Sequence, residues 1–168
     1  MREFASFGAF ARHLELLSLE GAEVTEHMAE HSARTVRDIA KAKIGYYQPQ
    51  VANYPAWAPL TAATEQEKAR EGAPAGAPLL RHGAMYASID YSIDHRGLET
   101  DAVIGSPSEI LMWQELGTSR GLPPRPVMGP AGFESRHPIY VEGQEVLLAW
   151  ISGKPWRQAI VDQSSIAP

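Results

Sequence analysis

Three observations predict an α+β fold: helical spacing of apolar residues near both ends, one stretch of two-residue alternation between them, and long proline-rich connections. The expected architecture is a small antiparallel sheet flanked by helices, with a helical N-terminal arm and an extended C-terminal arm. At 168 residues the chain has the length of a single domain. Within it we expect a helical arm over 1–22, an α+β core over 23–152 and a second arm over 153–168. A domain of this size buries roughly 70% of its unfolded surface, so it needs no covalent staple. Its 14 glycines and 13 prolines lie mostly between 45 and 138, which places the loops in the middle of the chain.

Phe4, Phe7, Phe10, Leu14 and Leu17 recur at helical spacing and predict an amphipathic helix over 2–18. Gly21 breaks that pattern. A second series, Val24, Met28, Val36, Ile39 and Lys43, predicts a helix that ends near Gly45. Thr25 is a weak N-cap for it, because Met28 and not Glu stands three residues on. The opposite face carries Glu23, Glu26, Glu30, Arg34, Arg37, Asp38 and Lys41, which suits packing on one side only. The pair reads equally as a hairpin or as one bent rod.

Residues 46–60 hold three prolines and four aromatics, so an extended, irregular segment pinned by its rings is expected. Thr61–Arg70 reads as a short helix with Thr61 or Thr64 as cap and Glu65, Gln66 and Glu67 in the first turn. The low-complexity run 71–78 reads as a mobile loop without means of packing. From Ala84 the pattern turns to period two: Ile89, Tyr91 and Ile93 alternate with Asp90, Ser92 and Asp94, and His95-Arg96-Gly97 leads into Glu99–Ile104. This predicts a β-hairpin with one wet face. A helix follows, with Pro107 in its first turn and Gly117 as its stop. Four prolines and three glycines in 118–132 argue against a regular element there. A last helix is expected over Ile139–Ser152, weakened by about 1 kcal/mol at Gly143.

Composition excludes several classes. There is no cysteine, hence no disulfide, thiolate metal site or cysteine nucleophile. The net charge of −5 argues against nucleic-acid binding by general phosphate neutralisation. No run of 18 apolar residues and no charged-then-apolar leader pattern is present, so a soluble cytoplasmic product with no membrane partner is expected. His27 and His31 stand one helical turn apart, but Met28 occupies the place of the Glu that a zinc-protease string requires and no third ligand has sensible spacing. They read as part of a solvated polar face. Asp90 and Asp94 likewise read as the wet side of the hairpin. No nucleophile elbow, phosphate loop or dinucleotide fingerprint occurs. No catalytic residue, metal or cofactor is expected.

Two stretches stand apart: an aromatic turn running into a capped helix (residues 54–68), and a helix that stops at glycine and yields to a stiff loop with Arg120 and Arg125 (113–132). Proline lowers the entropy a loop loses on docking, which favours preformed contact surfaces. The residues concerned form four ordered strings: Trp57, Pro59, Leu60, Thr64 and Lys68; Leu79, Leu80, Gly83, Ser88 and Ile89; Trp113, Glu115, Gly117 and Thr118; Pro123, Arg125, Pro126, Pro130 and Ala131. With these the chain resembles the tail-completion and neck proteins of long-tailed bacteriophages. Within that group it is most similar to the Mu-like virion morphogenesis proteins, akin to the Z-type minor tail proteins of lambda-like phages. Val127-Met128 replaces the family's Phe-Leu, and Leu116 stands where Phe is commoner; both keep an apolar side chain. The resemblance spans 57–131.

The resemblance implies a structural virion protein that completes the tail end and joins it to the DNA-filled head, with no enzymatic chemistry. It implies a hexameric ring, contacts with adjacent head-closure or connector and tail-terminator or tail-tube proteins, and genomic DNA passing without specific binding. Tail terminator, head-closure protein or another minor tail component are the alternatives in the same particle. A small metal-dependent hydrolase using His27 and His31 is the remote one. A ring needs one surface of each subunit to meet a different surface of its neighbour, and stiff loops and arms suit such contacts. A net acidic chain also suits a lumen that repels passing phosphates. The interaction residues expected are Trp57, Leu60, Trp113, Glu115, Gly117, Thr118, Arg120, Pro123, Arg125 and Pro126. Trp57 and Leu60 should anchor the aromatic loop. Glu115, Gly117 and Thr118 should close the helix and turn the chain, and Arg125 should pair with a carboxylate on a neighbour or within its loop.

Overall fold

The computed structural model describes residues 3–96 and 99–158. Among these it has six α-helices and one two-stranded antiparallel sheet, a small α+β fold with a long N-terminal helix. In chain order the elements are α1 (Phe7–Lys43), α2 (Ala62–Arg70), α3 (Ala84–Ser88), β1 (Asp90–Arg96), β2 (Glu99–Gly105), α4 (Glu109–Leu116), α5 (Met128–Glu134) and α6 (Arg136–Ile151). A 3-10 turn, Trp156–Gln158, follows. The chain divides into two compact units. One comprises residues 1–32, 93–102 and 136–168, the other 33–92 and 103–135. No helix of the described residues is long and apolar enough to cross a membrane.

In the first unit the core is small. Val24, Val146 and Trp156 are buried, and Met28, Ala149 and Trp150 pack half-buried against them. Gly21 does not interrupt α1. A glycine costs a helix interior about 1 kcal/mol, too little to end one whose next turns carry the packed Val24 and Met28. A methyl group at Gly21 would stand 3.9 Å from the Trp150 ring, and one at Gly143 only 3.4 Å from the end of Met28. Thr25 is thus not a cap: its hydroxyl donates to the Gly21 carbonyl one turn back, at 2.9 Å. The aromatic stripe ahead of it stays in water, with Phe7, Phe10 and Leu14 all exposed. Trp156 is buried within the core of this unit, and residues 159–168 of the expected C-terminal arm lie outside the described residues.

The second unit has the larger core: Ala40, Ile44, Trp57, Met85, Ile89, Leu111, Val127 and Ala131. The end of α1 is tied down by polar groups. The Gln48 amide donates to the carbonyls of Lys43 and Tyr46, and Lys43, itself buried, meets Glu134 at 2.7 Å. Helix α2 is capped as its sequence predicts, Thr61 Oγ1 accepting from the Thr64 N–H at 3.2 Å. The run 71–78, expected to be unable to pack, does pack: Ala73 and Pro78 are buried. Small side chains fit close to the backbone, and the Ala73 N–H closes onto the Lys68 carbonyl at 2.9 Å.

Alternation begins later than expected, because 84–88 forms the short helix α3. In β1, Asp90, Ser92 and Asp94 are exposed while Tyr91 and Ile93 are half-buried, the wet-faced hairpin the sequence predicts. The expected turn at Gly97 lies outside the described residues. Pro107 stands before the Ser108 N-cap of α4 and not inside its first turn. Residues 128–134, expected to be irregular, form α5. Pro130 is in its opening turn, where a missing N–H costs nothing.

Gly129 sits where any β-carbon would overlap the ring of Tyr54. Gly129→Ala is therefore expected to lower stability by about 1–3 kcal/mol. Tyr54→Ala in the same chain should recover part of the loss, as read by urea denaturation of the two single variants and the double.

Candidate functional site

The strings that stand apart in the sequence converge in the second unit. Trp57 is 5% exposed, and its indole N–H donates to the Pro126 carbonyl at 3.1 Å. Its own backbone N–H is taken up by the Gln48 carbonyl at 3.0 Å. Arg125 crosses back to the same aromatic loop. Its Nε and Nη2 donate to the Ala58 carbonyl at 3.2 and 3.0 Å, and Nη2 also reaches Pro59 at 3.4 Å. Within its own chain the partners it finds are thus main-chain oxygens and not the loop carboxylate that was one of the two expected. The reason is local: the aromatic loop belongs to no sheet, so its carbonyls need donors, and a guanidinium supplies five. Burial pushes the Arg125 guanidinium below its ordinary value.

Glu115 holds the next turn of the chain. Its carboxylate accepts from the N–H groups of Val127, Met128 and Gly129 at 2.6, 3.0 and 2.9 Å. Those are the donors at the start of α5 that no intrahelical carbonyl can satisfy. The chain reaches that position through Gly117, which ends α4 at φ +72°. A β-carbon there would stand 2.8 Å from the Leu122 carbonyl oxygen, so the turn admits only glycine. Thr118 completes it, its N–H donating to Leu122 O at 3.0 Å and its hydroxyl accepting weakly from the Leu122 N–H at 3.4 Å.

Beside this knot lies a cleft of about 720 Å³, in the size range of ligand sites. Leu60, Leu80, Met85, Ile110 and Leu122 form apolar wall. Lys68, Arg81, Arg120 and Arg125 supply charge, with no Asp or Glu in the lining. Arg81 is already engaged by Glu67 and Glu71 at 3.3 and 3.1 Å. Lys68 is 4% exposed, and the one acceptor to which its ammonium donates is the Ala77 carbonyl. Desolvation, and secondarily the nearby Arg81, lowers its pKa. The cleft therefore sets cationic side chains, two of them almost fully buried, beside an apolar wall.

The expected residues divide into two sets. Trp57, Arg125 and Pro126 are buried in the knot, with Glu115, Gly117 and Thr118 half-buried around them. Leu60, Arg120 and Pro123 line the cleft. Trp113 faces water from α4, 45% exposed. Lys68, which the first of the four strings includes, is buried in the lining of the cleft. His27 and His31 are not on a solvated face. Both are half-buried, His27 edge-on to Trp156 at 5.4 Å between rings and His31 Nδ1 2.7 Å from Glu142. Among the described residues no group of three or more His, Asp or Glu is placed to hold a metal ion. Comparison with protein-family models, with curated proteins and with solved structures found no match.

Two measurements check this geometry. Glu115→Ala should lower the unfolding free energy by about 2–4 kcal/mol and Glu115→Gln by less, because the amide keeps one acceptor oxygen. Lys68→Met should raise stability by roughly 1 kcal/mol at neutral pH, since it removes a buried charge that has no ion-pair contact among the described residues. The lowered pKa makes the unfolded chain bind more protons as pH rises toward about 10.4, so wild-type stability climbs there and the advantage of Met shrinks. Thermal denaturation at pH 7 and at pH 10 reads both effects.

Proposed function

We propose that the chain is a structural virion component of a long-tailed bacteriophage, completing the tail end and joining it to the DNA-filled head as a ring around the DNA channel, with no chemistry of its own. The observation that carries this reading is the convergence of its marker residues. The Trp57 turn, the Glu115–Thr118 helix end and the Arg125 loop come from sequence positions up to 69 residues apart. They resemble tail-completion and neck proteins as separate strings, and they interlock in one buried knot. Each string thus has a job in holding a rigid loop beside an open cleft, as an assembly protein requires. A preformed loop loses little entropy when a neighbour docks on it. The exposed apolar side chains of α4, Ile110, Met112, Trp113 and Leu116, add surface of the kind that subunit contacts cover.

Electron microscopy of a lysate from a phage lacking this gene tests the proposal. Filled heads and finished tails that fail to join are the expected result. Normal infectious particles would overturn the virion reading, and tails of uncontrolled length would move the protein to the terminator position.

A further inference from the structure

The charge of the chain is unevenly placed. Residues 1–32, 93–102 and 136–168 carry six Lys or Arg against twelve Asp or Glu, whereas 33–92 and 103–135 carry nine against eight. The second unit also holds the cationic cleft, with Lys68 and Arg125 each 4% exposed and no carboxylate in its lining. The first unit holds the opposite chemistry on the N-terminal half of α1. Leu16 and Leu19 are 58% and 72% exposed there. Glu15 lies one turn before Leu19, so an acidic and an apolar group form one ridge on the helix, while Glu23, one turn further on, is already held by Arg157. Exposed leucines in that setting mark an uncovered contact surface.

We propose that the Glu15–Leu19 ridge of one copy docks in the cationic cleft of the next copy. Leu19 lies against Ile110 and Leu122, and Glu15 approaches Arg120 at the mouth of the cleft. The occupant is a second copy of this chain because the two surfaces match in both sign and apolar character. Two different patches meet, so the contact is head-to-tail and every copy retains one free ridge and one free cleft until a ring closes. The inference rests on the ring reading above and names the surfaces that would make the ring. The approach of Glu15 to the exposed Arg120 is a charge contact that salt screens, which gives the contact its salt dependence.

Two full-length variants test it, each altered only at exposed positions so that the fold is retained, as circular dichroism verifies. One is Arg120→Glu, which disables the cleft. The other is Glu15→Gln with Leu19→Gln, which disables the ridge without giving it a charge that the new carboxylate of Arg120→Glu could pair with. Mass photometry and sedimentation velocity at up to about 100 µM, where a micromolar contact is saturated, follow the mass of each species. Wild type should form species larger than a dimer that weaken at least tenfold with added salt. Each variant alone should be monomeric. Their mixture should form a one-to-one dimer and nothing larger, because only one live ridge and one live cleft remain.

The inference is overturned by a mixture that stays monomeric, by either variant assembling like wild type, or by a wild type that is monomeric throughout. A small organic acid retained by a monomeric wild type in native mass spectra, and lost in Arg120→Glu, would overturn it in favour of a ligand site. Failure of the pairing alongside unjoined heads and tails in the gene-deleted phage removes this contact alone. Normal particles remove the neck reading itself.

Discussion

Arg125 buries a guanidinium among main-chain oxygens, and the packing of the second unit depends on it. A buried cation is costly unless its hydrogen bonds are made, and here the Ala58 and Pro59 carbonyls make them. The same carbonyls sit in a loop that lacks a strand partner, so the guanidinium and the loop each remove the other's penalty. Once that link holds, Trp57 is carried to the Pro126 carbonyl, and Val127 and Ala131 close the core from the other side. Glu115 then supplies the acceptors that the start of α5 lacks. Cation and carboxylate, ten positions apart in the chain, do separate work: one stitches loop to loop, the other starts a helix.

This arrangement also explains why charge is left over. Arg125 is satisfied by carbonyls and Lys68 by a single one, so neither brings a carboxylate into the cleft they line. Replacing such charge by an apolar side chain of similar volume is often neutral or stabilising. The exposed leucines of α1 and the exposed apolar face of α4 are apolar surface left over in the same way.

Much of the fold was legible from short-range signals. Thr61 was readable as a cap, Gly117 as a stop, and the Asp90–Asp94 alternation as a wet-faced strand, because each depends on neighbours within about four residues. The candidate site was legible only in part. Trp57, Glu115 and Arg125 stood out by their company of prolines and glycines, but the partners that Arg125 finds within the chain are a pair of carbonyls and not a carboxylate of its loop. His27 and His31 read as solvated because nothing near them in sequence announces that α6 covers that face.

The sequence by itself therefore determined the local elements: where α2 starts, where α4 ends, which strand residues face water, and that the chain is α+β. Tertiary structure alone decided that α1 runs unbroken through Gly21, that 128–134 becomes a helix in spite of Pro130, and that the alanines and proline of 71–78 pack. It also decided which atoms answer the buried charges. The physical reason is distance along the chain. Lys43 finds Glu134 across 91 positions and Arg125 finds Ala58 across 67. No local pattern encodes a partner that only folding brings within 3 Å or so.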